Sequence, residues 1–220
     1  MTGEAPREPA LETRKADELR LLSPSAARNR DPIREIFVAH MPRAGIIVEI
    51  GSGTGEHAAY IASALPDVQW LPSDPDAGSR ASIDAWTHFL ALRNISRARA
   101  LDATQGDWTQ GLPPADGVVS INMIHIAPFA AATGLIRGAG ALLKPGGRLF
   151  LYGPFMRDGA HTAPSNEAFD ASLKARDQAW GVRDLDREIT PLAAAAGLAL
   201  RAVFAMPANN FSVIFEKGAP

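Results

Sequence analysis

The apolar run Gly-Ile-Ile-Val-Glu-Ile at 45–50 ends abruptly in Gly51-Ser52-Gly53-Thr54-Gly55, and no other stretch constrains the fold as much. A short apolar run between glycines suits a parallel strand buried on both faces. Residues 56–65 then read as a helix, so the glycines form a strand-to-helix turn. Gly51 and Gly53 remove side chains where backbone must approach a ligand closely. The free N–H groups opening the helix attract an anion. In open α/β sheets such turns lie at the carboxyl edge, where ligands bind. A nicotinamide fingerprint requires a third glycine three residues after the second. Here that position is Glu56, whose carboxylate would oppose a pyrophosphate. A phosphate-binding P-loop is excluded because no Gly-Lys-Ser/Thr ends the turn.

The rest of the chain repeats the alternation. Strands are expected at 68–71, 97–101, 116–121, 148–152, 198–205 and 211–216. Helices are expected at 31–41, opened by Asp31-Pro32, and at 76–92, 129–143, 166–178 and 191–196. This pattern predicts an α/β fold with a mostly parallel, seven-stranded sheet and helices on both faces. The short link Pro207-Ala208-Asn209-Asn210 requires an antiparallel hairpin at the C-terminal edge. Residues 1–23 read as an arm and 24–220 as one domain. The 154–184 segment interrupts the rhythm and reads as a lid or substrate wall.

Composition removes several function classes. The net charge of −2 provides no global field for nucleic acid or anionic membrane, although Arg28, Arg30 and Arg34 lie close together. With no cysteine, disulfides, thiolate zinc sites and cysteine nucleophiles are excluded. The five histidines lack the paired spacing of a metal site, so none is expected. Neither a signal peptide nor a membrane-spanning run is present in the sequence, which predicts a cytoplasmic protein.

The pattern Glu49-x-Gly51-x-Gly53-x-Gly55 resembles the first motif of class I S-adenosylmethionine-dependent methyltransferases. Asp74 after the second strand, Asp102 after the third and Leu142-Leu143-Lys144-Pro145-Gly146-Gly147 before the fifth fall in matching places. A closer resemblance spans nearly the whole chain. Ala27-Arg28-Asn29-Arg30-Asp31-Pro32-Ile33, Gly51-to-His57, Asn122-Met123-Ile124-His125-Ile126 and Pro207-to-Asn210 are similar to a small methyltransferase-like family carried as a domain of unknown function. The resemblance implies a Rossmann-like methyltransferase fold with S-adenosyl-L-methionine as cofactor. It leaves the methyl acceptor open, and a non-catalytic sensor or partner protein that binds the cofactor is the alternative.

Residue by residue, the resemblance implies that the loop of Gly51, Ser52, Gly53 and Gly55 cradles the cofactor. Asp74 would hold the ribose hydroxyls, unless it caps the next helix, and Asp102 with Ala103 would hold adenine. Glu49 would meet the methionine amino group, or else bind loop N–H groups. His57, Arg28 and Asn29 would stand near the methionine carboxylate, with a solvated surface role as the other reading of Arg28. Asn122, His125 and Tyr152 lie where an acceptor would meet the sulfonium. Histidine can take a proton near neutral pH, or it can be a hydrogen-bonded core residue. Asn166, Trp180, Asn209 and Asn210 are the expected substrate contacts, and the slightly negative charge with this polar, aromatic wall favours a small-molecule acceptor.

Overall fold

A computed structural model describes residues 15–219. The first 14 residues of the expected arm lie outside the described residues. The remainder forms a two-stranded antiparallel ribbon, β1 (Lys15–Asp17) and β2 (Arg20–Leu22). Helix α1 (Pro24–His40) starts a full two turns before the expected Asp31-Pro32. Ser23 is the cap, its side chain accepting from Ala26 N at 3.1 Å, and Pro24 sits in the first turn, where its missing N–H costs nothing. Pro32 therefore lies inside the helix. The buried stripe Ala26, Ile33 and Phe37 holds the helix against the sheet.

The central sheet has six strands rather than seven. They are β3 (Gly45–Ile50), β4 (Val68–Ser73), β5 (Ala115–Ile121), β6 (Leu143–Gly153), β7 (Leu198–Met206) and β8 (Asn210–Lys217), in the order β4-β3-β5-β6-β8-β7. The first four are parallel, and β8 runs antiparallel to both β6 and β7, which is the expected edge hairpin. The strand expected at 97–101 makes only the isolated bridge Ser73↔Arg99, with a second bridge, Trp70↔Ile95, just before it. Proline explains this. The backbone N–H groups of Trp70 and Asp74 donate to Asn94 O at 2.7 Å and Arg99 O at 3.0 Å. Pro72, midway between them, has no N–H, so the ladder on that edge is broken.

Helices α2 (Glu56–Ala62), α3 (Ala77–Phe89), α4 (Phe129–Leu142), α5 (Pro164–Arg176) and α6 (Thr190–Ala195) complete the fold. One apolar core, around Val48, Val118, Leu135, Leu149 and Phe215, lies under α4 and α6. The other, around Ile33, Phe37, Ile47, Trp70 and Phe150, lies under α1 and α2. Among the described residues no helix is long and apolar enough to cross a membrane.

The chain leaves β3 to build β4 on one side, then crosses to place β5 on the other. The order of strands reverses at β3, so a crevice opens between the carboxyl ends of β3 and β5. The glycine turn and the Asn122–His125 turn meet there.

Candidate functional site at the carboxyl edge of the sheet

The glycine loop is built from left-handed backbone, with φ of 72°, 58° and 85° at Gly51, Gly53 and Gly55. At Gly51 a side chain is excluded twice over, because an added Cβ would stand 2.6 Å from Met123 Cγ. Neighbouring strands fasten the loop. Ser52 N donates to Ser73 O at 2.8 Å, and Ser73 Oγ donates to Glu49 O at 2.6 Å. Ser120 Oγ donates to Ile50 O at 2.9 Å. The strand ends are thus registered to one another by serine hydroxyls, which keeps the crevice in one shape.

Glu49 sits at the base of the crevice, 1 % exposed. Its Oε2 accepts from Trp70 Nε1 at 3.0 Å, and the Ser52 side chain lies nearby. Burial pushes its pKa up to about 7; Trp70 and Ser52 pull downward and the Asp74 charge adds to the rise. None of the ion pairs among the described residues includes Glu49. A desolvated carboxyl at a ligand crevice without a cation suits a ligand that brings one.

Asp74 is buried at the end of β4. Its Oδ2 accepts from Gly53 N and its Oδ1 from Asp76 N, both at 2.9 Å. The cap of α3 is Asp76, whose Oδ2 accepts from Ser79 N at 2.6 Å. Asp74 is therefore not the helix cap, and it ties the glycine loop to β4. Asp102 forms a local turn, Oδ1 accepting from Thr104 N and Thr104 Oγ1 at 2.8 Å each. Ala103 beside it is buried against α4.

Three expected residues from distant parts of the chain come together. Asn29 on α1 bonds the half-buried His57 of α2, Nε2 to Oδ1, at 2.8 Å. Its side chain also lies near Tyr152, which is buried at the end of β6. Burial, then the Arg30 charge, lowers the His57 pKa to about 4. Burial raises that of Tyr152, with Asn29 opposing. Arg28, in contrast, is exposed on α1.

Asn122 ends β5 in left-handed backbone, φ 62°, and donates N–H to Tyr152 O at 2.8 Å. His125, 1 % exposed, closes the short 3-10 turn Met123–His125. Its Nδ1 accepts from Arg183 N at 3.2 Å, and its ring stacks edge-on against Phe155 with centroids 4.8 Å apart. Gly153 must be glycine, since a Cβ there would collide with the imidazole. Burial first, and the nearby Arg183 charge second, lower the His125 pKa to about 3.

The 154–184 segment is fastened at its C-terminal end and near its middle. Arg183 donates from Nε to Ile124 O at 2.9 Å and from Nη2 to Ala127 O at 2.7 Å, while Gly181 N donates to His125 O at 3.0 Å. Near the middle Asn166, buried on α5, donates to Asn209 O at 2.9 Å, and Asn209 Nδ2 donates to Ser165 Oγ at 3.1 Å. Asn210 bonds within its own turn, to Pro207 O and Ala208 O. Trp180 is half-buried in the turn after α5.

Trp70 and Arg183 are the residues sequence reasoning missed. A tryptophan in a fully buried strand needs an acceptor for its indole N–H, and Glu49 on the adjacent strand is that acceptor; this signal was available. Nothing local to residue 183 announces its distant carbonyl partners, Ile124 and Ala127.

Known proteins share this architecture. An O-methyltransferase family protein from Burkholderia thailandensis superposes with a TM-score of 0.76 at 18 % identity, covering 89 % of this chain and 58 % of that one. Human N-acetylserotonin methyltransferase, solved in complex with SAM, gives 0.66 at 16 % identity, over 86 % and 55 %. The ribosomal RNA small subunit methyltransferase G of Clavibacter michiganensis subsp. michiganensis (strain NCPPB 382) is 29 % identical over 132 residues, which is 59 % of this chain and 57 % of that protein. The chain thus spans little more than half the length of these relatives. The fold is that of class I methyltransferases. Residues 20–217 match the family described as "Protein of unknown function (DUF938)", and the chain belongs to that family.

Proposed function

We propose that this protein is an S-adenosyl-L-methionine-dependent methyltransferase acting on a small-molecule acceptor. The observation that carries this is the buried, uncompensated Glu49 beneath a left-handed glycine loop, with Asp74 at the end of the adjoining strand. When bound, the cofactor supplies an electrophilic methyl group on a sulfonium. The chain's own residues bind and orient. Gly51, Ser52, Gly53 and Gly55 offer close backbone approach. Glu49 offers an acceptor to the methionine ammonium, Asp74 offers carboxylate oxygen to a ribose diol, and Asp102 with Ala103 borders the adenine. Positioning of a lone pair supplies most of the acceleration.

The acceptor would lie beside Asn122, Tyr152 and the 154–184 wall, with Trp180, Asn166, Asn209 and Asn210 at its margin. His125 serves this wall as its anchor. Taking an acceptor's proton on Nδ1 would require it to release Arg183 N–H. The net charge of −2 and the polar wall favour a compact ligand over a phosphate backbone. The similarity to a ribosomal RNA methyltransferase supports RNA as the second reading. A transfer assay with tritiated cofactor and fractionated cell extract separates the two. Label is expected in the low-molecular-weight fraction; label confined to RNA or protein would refute the small-molecule acceptor.

A further inference from the structure

We propose that Asn29 is a positioning residue that fixes the tautomer of His57 for the amino-acid end of the cofactor. The inference rests on the adenosylmethionine reading above and adds to it a residue acting through another.

The argument is one of satisfiability. An amide oxygen accepts and an amide NH2 only donates. Asn29 gives Oδ1 to His57 Nε2 at 2.8 Å, so the proton of that imidazole is on Nε2 and its lone pair is on Nδ1. The lone pair left on Nδ1 makes His57 an acceptor, which suits the ammonium of the cofactor's amino-acid end, a group that only donates. Burial first, and the Arg30 charge second, oppose a second proton on His57 and keep the ring neutral.

The placement of Asn29 is itself built in. Ser23 N, at the start of α1, donates to the buried Glu56 Oε2 at 2.6 Å, and Thr54 Oγ1 donates to the same oxygen at 3.1 Å. Leu21 N donates to Ser82 Oγ at 2.8 Å, and that hydroxyl donates to Thr54 O at 2.7 Å. The ribbon and α1 are thus seated on the glycine loop, with Asn29 facing His57 two turns into the helix.

Two measurements test this. In the free protein, nitrogen-detected NMR should find His57 as the Nε2–H tautomer, and Asn29→Ala should give a mixture of tautomers. A wild-type Nδ1–H tautomer, or no change in the variant, would overturn the polarity assignment. In calorimetry, Asn29→Ala and His57→Ala should each weaken S-adenosylhomocysteine at least tenfold, and the double variant no further. Both should leave 5′-methylthioadenosine, which lacks the amino-acid group, within twofold. Equal weakening of both ligands, or additive losses, would reduce Asn29 to a structural contact. Asn29→Asp, close in size, keeps an oxygen for His57 Nε2–H and should retain the Nε2–H tautomer above the pKa of the ring; a mixture of tautomers in that variant would also overturn the assignment. Failure of wild-type protein to bind S-adenosylhomocysteine would instead refute the cofactor reading.

Discussion

Glu49→Gln is expected to make the protein more stable above pH 7 while weakening its cofactor at least tenfold. The folded-state pKa of Glu49 is about 7 against an ordinary 4.5. Between those values the folded state holds a proton that the unfolded chain has released, so stability falls as pH rises through that window. Above pH 7 the full cost is about 3 kcal/mol, from 1.36 kcal/mol per unit. Glutamine keeps an oxygen for Trp70 Nε1 and removes the charge. Urea unfolding at pH 8 should therefore show a gain of up to about 3 kcal/mol, shrinking towards zero at pH 5. The same charge is what a bound ammonium needs. Wild-type affinity should rise roughly tenfold between pH 6 and pH 8 as Glu49 ionises, and the variant should lose this dependence. A variant less stable at pH 8, with a wild-type pH profile of binding, would show that Glu49 is a structural carboxylate.

The acid limb of stability should belong largely to His125. Its folded-state pKa of about 3 lies below the ordinary 6.5, so the unfolded chain takes up a proton that the folded state refuses. The contribution is complete above pH 6.5 and is lost as pH falls towards 3. Between pH 7 and 4.5 this amounts to about 3 kcal/mol. His57 acts with the same sign, so variants are needed to separate the two. His125→Asn offers an oxygen to Arg183 N and cannot titrate. It should flatten the acid limb of a urea-unfolding series while keeping the 181–183 strap in place. His125→Ala leaves that N–H unpaired and a void beside Phe155. It should cost roughly 2–4 kcal/mol and expose the 154–184 segment to limited proteolysis. An unchanged acid limb in His125→Asn would contradict this account of the buried imidazole.

Much of the fold was legible because local signals coincide. The apolar run at 45–50, the glycine turn and the helix that follows all lie within twenty residues, as do the two C-terminal strands and their asparagine turn. Reading failed where one residue decides a non-local pairing. The apolar pattern of 97–101 is strand-like, yet the missing N–H of Pro72 on β4 withholds the middle bond of its ladder. Asp31-Pro32 has the form of a helix start, but Ser23-Pro24 offers the same chemistry earlier, and packing of Ala26, Ile33 and Phe37 carries the helix through Pro32. At the site, motif spacing singled out Asn29, His57 and Tyr152 one at a time. Their union depends on how α1 crosses α2 above the end of β6, which periodicity does not encode. Arg183 shows the same limit, since two of its three backbone-carbonyl partners are 56 and 59 residues away in sequence.

The most direct test of the central claim is calorimetric titration of the wild-type protein with S-adenosylhomocysteine and with NAD under one buffer condition. Saturable binding of S-adenosylhomocysteine, with no comparable heat from NAD, is the result predicted by a glycine loop that places Glu56 where a pyrophosphate would need glycine. Tight binding of NAD with no S-adenosylhomocysteine signal would contradict it.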